Sequence, residues 1–259
     1  MLRLSVYEVE ILTEEERLLV AKTEDLFALC DKYQSPRFSA FLTEEEQALL
    51  APVIKSVLNW RFYGGYPEAG RKVLGVFPEW AEPEEADFTI KVLKITKTYG
   101  EPLTHRDYLG TILSLGVDRS KTGDILVDGQ TAYAFVCSDI AAFLRENITK
   151  IANRGVSVEI MEPGQVRVPE QKFETLDVVA ASLRLDAVVA AMLHLSRNAA
   201  VKLIEGGKVA VNHRPAEDGA KQVTEDDLLS VRGYGRYKVG GAGGTTRSGR
   251  LHLDIKKNI

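Results

Sequence analysis

The chain has 259 residues, 45% of them hydrophobic and 27% charged, which is enough for two or three compact domains with ordinary cores. No stretch approaches the roughly 18 to 20 uninterrupted apolar residues of a membrane-spanning helix, and the start, Met1-Leu2-Arg3-Leu4, runs into charged sequence with no signal-peptide core. A soluble, cytoplasmic chain with no membrane partner is expected.

The net charge of -4 hides a polarity along the chain: residues 183 to 259 carry 13 Lys and Arg against 8 Asp and Glu, whereas the first 182 carry 20 against 29. A basic end on an acidic body points to a dedicated anion-binding module. Cys30 and Cys137 lie in separate hydrophobic patterns with no neighbouring cysteine, and read as small buried hydrophobes.

Thr13-Glu14-Glu15-Glu16 and Thr43-Glu44-Glu45-Glu46 each set a threonine three residues before a glutamate, so hydroxyl and carboxylate can satisfy the orphan donors of a helix start reciprocally. The first predicted helix is expected to bury Leu18, Leu19, Leu26, Leu29 and Cys30. The second is expected to bury Ala48, Leu49, Val53, Ile54, Val57 and Leu58, with Pro52 kinking or splitting it. Trp60 to Pro67 reads as an aromatic turn around Gly64-Gly65, followed by a strand at Val73 to Phe77. Arg61, Arg71 and Lys72 beside these rings could grip RNA, but packing of a small domain is the favoured reading.

The acidic, proline-bearing segment from Pro78 to Asp87 suits a boundary loop. Strands at Phe88 to Ile95, Ile125 to Val127, Ala132 to Val136 and Val156 to Ile160 alternate with helices from Thr104 to Leu115 and Asp139 to Ile148. That order, β-α-β-β-α-β, is the split βαβ pattern of ferredoxin-like and RNA-recognition-motif folds. Thr131-Ala132-Tyr133-Ala134-Phe135-Val136 matches only the second half of the motif's stacking strand. Its basic residue and glycine are missing, and Lys91 stands where the other ring is expected. The middle domain is therefore a degenerate RNA-recognition motif, better suited to a structural or protein-docking role. Glu162 to Glu174 reads as a connection.

Beyond Leu183, Arg184-Leu185-Asp186 opens an apolar helix, Ser196 caps a second, and Gly206-Gly207 ends it. Lys208 to Asn212 reads as a strand, as does Leu228 to Arg236. The tract Gly240 to Gly244 reads as a mobile hairpin whose following Arg247 and Arg250 can reach phosphate, and Leu251 to Ile255 closes the sheet. Two short helices on a small sheet with a basic edge resemble the RNA-binding domain named after small-subunit ribosomal protein S-four. The resemblance rests on Arg184-Leu185-Asp186, Ser196-Arg197, Gly207-Lys208-Val209 with Asn212, and Val231-Arg232-Gly233 after Asp226-Asp227. With Arg232-Gly233-Tyr234-Gly235-Arg236, Gly64-Gly65-Tyr66 and the degenerate middle domain, the whole chain resembles the YlmH family.

The expected fold is α+β: an N-terminal α/β domain over 1–86, a ferredoxin-like domain over 87–165 and an S-four-type domain with its linker over 166–259. Arg184 and Arg197 are expected to contact RNA, with Lys202, Lys208, Asn212, Arg232 and Arg236 extending the surface. Arginine forks match phosphate geometry, and lysines add diffuse attraction. Asp186 reads as a local acceptor, at its helix start or for a neighbouring arginine. The family resemblance implies binding to ribosomal RNA and tRNA on the large ribosomal subunit in ribosome-associated quality control, with possible protein partners and no catalysis.

The alternative is an RNA-modifying enzyme of the pseudouridine synthase or methyltransferase type. Against it, Arg184-Leu185-Asp186 continues as Ala187-Val188-Val189, without a synthase's Thr-Ser-Gly. No glycine-rich loop follows a strand, and His194, His213 and His252 are scattered. No cofactor or metal is expected.

Overall fold

Both threonine-led starts form reciprocal caps in the computed structural model, which describes residues 13–97, 100–101, 103–168, 173–245 and 249–258. Thr13 Oγ1 accepts from the Glu16 amide at 3.2 Å while the Thr13 amide donates to Glu16 Oε2 at 2.7 Å, opening α1 (Glu14–Tyr33). Thr43 and Glu46 repeat the exchange for α2 (Glu44–Leu50). The chain divides into two compact units, Met1–Pro169 and Glu170–Ile259.

The face that α1 buries is the expected one only in part: Cys30 is buried and Leu19 and Leu26 pack against the same core. Val20, Thr23, Phe27 and Cys30 are its core residues, whereas Leu18 and Leu29 are 55% and 42% exposed. At about 100° per residue the four buried positions fall within roughly an 80° arc, and Leu18 and Leu29 lie on the opposite side. Leucine content placed two of the five expected residues on the wrong side. Helix α2 ends at Leu50, ahead of Pro52, and Val57 is exposed while Val53, Ile54 and Leu58 are buried.

In the first unit, β1 (Arg37–Leu42), β2 (Asn59–Tyr63) and β3 (Lys72–Phe77) form an antiparallel sheet in the order β1-β3-β2. The aromatic run from Trp60 is thus a strand up to Tyr63 and turns only beyond it. A second sheet follows from β4 (Ile90–Lys97), α3 (His105–Ser114), β5 (Thr122–Asp128), β6 (Thr131–Cys137), α4 (Ser138–Asn147), β7 (Lys150–Ile151) and β8 (Arg154–Met161). Its order is β5-β6-β4-β8-β7, every pairing antiparallel.

Alternation along β6 decides what each face meets. Ala132, Ala134 and Val136 share a core with Tyr108, Ile112 and Leu144 of α3 and α4. Phe135, with Tyr133 packed beside it, instead shares a core with Phe41, Tyr63, Val73 and Phe77 of the first sheet and Tyr66 of its β2–β3 turn. The stacking face of an RNA-recognition motif is therefore covered from within the chain.

The Gly64-Gly65 turn seals this contact. Gly65 has φ +100, and a Cβ there would come 2.3 Å from Phe135 Cδ1. Tyr66 donates its hydroxyl to Asp124 Oδ2 at 2.8 Å, the amides of Gly70 and Arg71 donate to the same carboxylate, and Arg71 donates to the carbonyls of Thr122 and Phe41. Arg71 thus ties the sheets together, and Arg61 pairs with Glu85. Burial pushes the Cys137 thiol up to about 11.

The second unit contains β9 (Phe173–Ala180), α5 (Leu185–Met192), α6 (Arg197–Glu205), β10 (Val209–Val211), β11 (Arg214–Pro215), β12 (Leu228–Val231), β13 (Gly235–Thr245) and β14 (Leu251–Asn258). The strand order is β11-β10-β12-β13-β14-β9. Val188, Val189, Ala200 and Ile204 of the helices meet Val209, Val211, Leu229, Val231, Leu253 and Ile255 in one core.

Three expectations are corrected here. The connection through Glu174 gives way at Phe173 to an edge strand that pairs with β14 over its whole length. The strand from Leu228 stops at Val231, because Gly233 and Gly235 turn the chain at φ +89 and +123. The glycine tract is one arm of a hairpin and not a hairpin by itself: it lies in β13, paired with β14 through register shifts on either side of Ala242. Arg247, like residues 1–12, lies outside the described residues. No single helix among the described residues is long and apolar enough to cross a membrane.

Candidate RNA-binding surface

The two helix starts of the second unit meet at one carboxylate. The segment from Gly219 to Val223 pins the entry of α5: Leu185 donates its amide to Lys221 O at 2.8 Å and Asp186 donates to Gly219 O at 3.0 Å. His194, in the left-handed region at φ +53, turns the chain between the helices, and Ser196 caps α6 by accepting from the Ala199 amide at 3.2 Å. These constraints bring Arg184, the N-cap of α5, and Arg197, the first residue of α6, to the same place.

Arg184 donates through Nε and Nη2 to the two oxygens of Asp186 at 3.2 and 2.8 Å. Arg197 Nη2 reaches both oxygens at 3.0 and 3.1 Å. The Asp186 side chain is only 5% exposed, whereas those of Arg184 and Arg197 are 39% and 54% exposed. The hydrogen bonds from Arg184, reinforced by those from Arg197, hold the Asp186 carboxyl below the usual carboxylate range.

A cation in the first turn of a helix is disfavoured by the peptide dipoles, by a few tenths of a kcal/mol or more. Here one anion offsets that at two helix starts at once. Two guanidiniums on one carboxylate leave a charge of +1 and several unused N–H groups at the surface. Of the two acceptor roles its sequence context allowed, Asp186 takes that for arginine, and it serves two arginines, while among the described residues no side chain caps the start of α5.

The other expected residues do not join this pair. Helix α6 has nine residues, about 13 Å at 1.5 Å per residue, and Lys208 follows its far end. Lys202 is exposed on α6, about 140° around the axis from Arg197. Lys208, Arg232 and Arg236 gather instead around a trough of about 500 Å³ on the outer side of the sheet, with Tyr234, 44% exposed, in its lining.

Asn212 serves the fold: its Nδ2 donates to Asp227 Oδ1 at 2.7 Å, and its Oδ1 accepts from the Leu228 amide at 2.9 Å. Tyr234 stands in the Arg232-Gly233-Tyr234-Gly235-Arg236 run that carries the family resemblance, and sequence reasoning gave it no role of its own.

Two short helices joined at a shared carboxylate and backed by an antiparallel sheet with basic outer residues define the second unit as an S-four-type RNA-binding module. A family model described as "S4 domain" matches residues 183–229, and one described as "Putative RNA-binding domain in YlmH" matches residues 83–164. The chain is 30% identical over 248 residues to the Ribosome-associated protein quality control protein P2 of Bacillus subtilis, covering 94% of this chain and 96% of that protein. It belongs to the YlmH family. The Cell division protein ylmH from Streptococcus pneumoniae shares the fold at a TM-score of 0.51 and 24% identity, over 60% of this chain and 97% of that one.

Proposed function

We propose that the protein binds ribosomal RNA and tRNA on the large ribosomal subunit, in the cytoplasm, and takes part in quality control of stalled peptidyl-tRNA complexes by docking RNA without catalysing a reaction. The observation that carries this reading is the arginine pair. A buried carboxylate holds two half-exposed guanidiniums side by side and leaves them net positive, an arrangement suited to adjacent phosphates. Two RNA-binding family models and a relative named for ribosome-associated quality control support it.

Within the first unit we read two domains, 1–86 and 87–165, and take the second as ferredoxin-like because its four main strands, β4, β5, β6 and β8, lie in the order β5-β6-β4-β8. Its sheet faces are occupied by α3 and α4 and by the first sheet, so RNA contact falls chiefly to residues 166–259.

Lys202 and Lys208 are exposed, and among the described residues neither pairs with a carboxylate, so Lys202→Glu with Lys208→Glu leaves the fold undisturbed. Sedimentation through sucrose with purified large subunits is expected to recover the wild type with the particle and to lose most of this variant. With four to six phosphates contacted, affinity falls by nearly one log unit per log unit of salt for each. Equal recovery of both proteins would remove these two lysines from the interface, and a flat salt profile would refute the assignment.

A further inference from the structure

The S4 family model ends at residue 229, and most of the residues lining the trough lie beyond it. Pro215, Ala210 and Ser230 are successive cross-strand neighbours on β11, β10 and β12, and Arg236 continues the row on β13. Val209, Val211, Leu229 and Val231 point into the core, so alternation sends Ala210 and Ser230 outward. Three small residues in a row leave a floor where longer polar side chains ordinarily cover a solvated sheet face.

Lys208 and Arg232 stand at the rim. The Arg232 amide donates to Lys208 O at 2.8 Å, one step beyond the Val209–Val231 pair, so the two side chains project from adjacent strands toward the same side. Like charges placed opposite each other destabilise a sheet. Among the described residues no carboxylate pairs with either. Tyr234, exposed in the glycine turn at the edge, adds a ring to a lining that is otherwise short of bulk.

We propose that this trough is a nucleotide subsite. It takes one unstacked nucleotide of single-stranded or looped-out RNA, with the base against Tyr234 and the Ala210–Ser230 floor and the phosphate between Lys208 and Arg232. The size fits: about 500 Å³ holds a base and ribose with room to spare. Stacking on an aromatic ring is sequence-tolerant, so the subsite favours an unpaired base of any identity. This rests on the RNA-binding reading and adds to it a contact with a base rather than with backbone alone.

The test uses the full chain, a single-stranded RNA decamer carrying 2-aminopurine, and a duplex hairpin of the same length. Wild type is expected to change the probe's fluorescence. Tyr234→Ala is expected to weaken single-stranded binding about tenfold, leaving the salt slope and duplex binding unchanged. Ala210→Phe fills the floor without altering charge, and the same loss is expected. Lys208→Gln is expected to lower the salt slope by about one.

Wild-type affinity for the decamer in both Tyr234→Ala and Ala210→Phe, or a Tyr234→Ala loss equal for duplex and single strand, overturns the subsite while leaving RNA binding standing. Failure of the wild type to bind either RNA overturns both.

Discussion

Asp186→Asn sets two physical effects against each other. The substitution removes one negative charge from beneath the two arginines proposed to face RNA, so long-range electrostatics alone predicts tighter binding. For a phosphate about 10 Å away in water the gain is about 0.4 kcal/mol, roughly twofold.

The opposing effect is order. Asp186 accepts four contacts between 2.8 and 3.2 Å from two guanidiniums, and an amide cannot offer two anionic oxygens. Re-ordering a pair of long side chains at an interface costs about 1–3 kcal/mol. A central value of about 2 kcal/mol is roughly 30-fold, and after the electrostatic gain a loss of about tenfold remains.

Stability moves as well. Breaking a buried ion pair costs about 3–5 kcal/mol and an exposed one at most about 1. Asp186 is buried while its partners stay half in water, so about 2 kcal/mol is expected, lowering the melting of Glu170–Ile259 by about 8–16 °C. Fluorescence anisotropy with ribosomal RNA fragments measures the first effect. Calorimetry of the full chain, with hydrogen exchange locating the change in α5 and α6, measures the second. Unchanged or tighter RNA binding with an intact fold would refute the claim that the carboxylate prearranges the arginines.

Gly65→Ala forces a Cβ to within 2.3 Å of the Phe135 ring at a φ of +100, and is expected to destabilise the first unit by about 3 kcal/mol in urea denaturation while RNA affinity holds below the transition. A cost under about 1 kcal/mol would mean the turn does not seal the sheets. Asp186 also predicts an acid dependence. Its folded carboxyl pKa is depressed, so the associated stability is fully present above the unfolded value of about 3.9 and is lost as pH falls through the folded one. The stability advantage of wild type over Asp186→Asn is therefore expected to hold from pH 7 to about 4 and to shrink below it. A gap that stays constant down to pH 2 would contradict this.

Much of the second unit was legible because its signals are local. The Ser196 cap, the Gly206-Gly207 stop and the Arg184-Leu185-Asp186 start depend on neighbours within a turn or two. The second partner of Asp186 was not legible, since Arg197 reaches it only through the reversal at His194, and left-handed backbone at a non-glycine residue carries little sequence signature.

The strand Phe173–Ala180 was hidden by its own chemistry. Leu176, Val178 and Ala180 alternate inward, but Glu174 interrupts that row and the opposite row mixes Thr175 and Asp177 with Val179, a pattern common to edge strands and linkers alike. For α1, counting leucines chose Leu18 and Leu29, whereas helical geometry around Phe27 and Cys30 would have chosen the buried arc. Tyr133 and Phe135 were correctly placed on one face by alternation, yet what covers a face comes from residues some 70 positions earlier.

The shared aromatic layer of the first unit governs how the gene can be dissected. A fragment starting near residue 87 would present Phe88, Ile90, Val92 and Phe135 as a bare apolar slab, inviting precipitation during expression, and one ending there would bare Phe41, Tyr63 and Phe77. Deletion series should therefore break the chain around residue 170 and keep everything upstream as one indivisible piece.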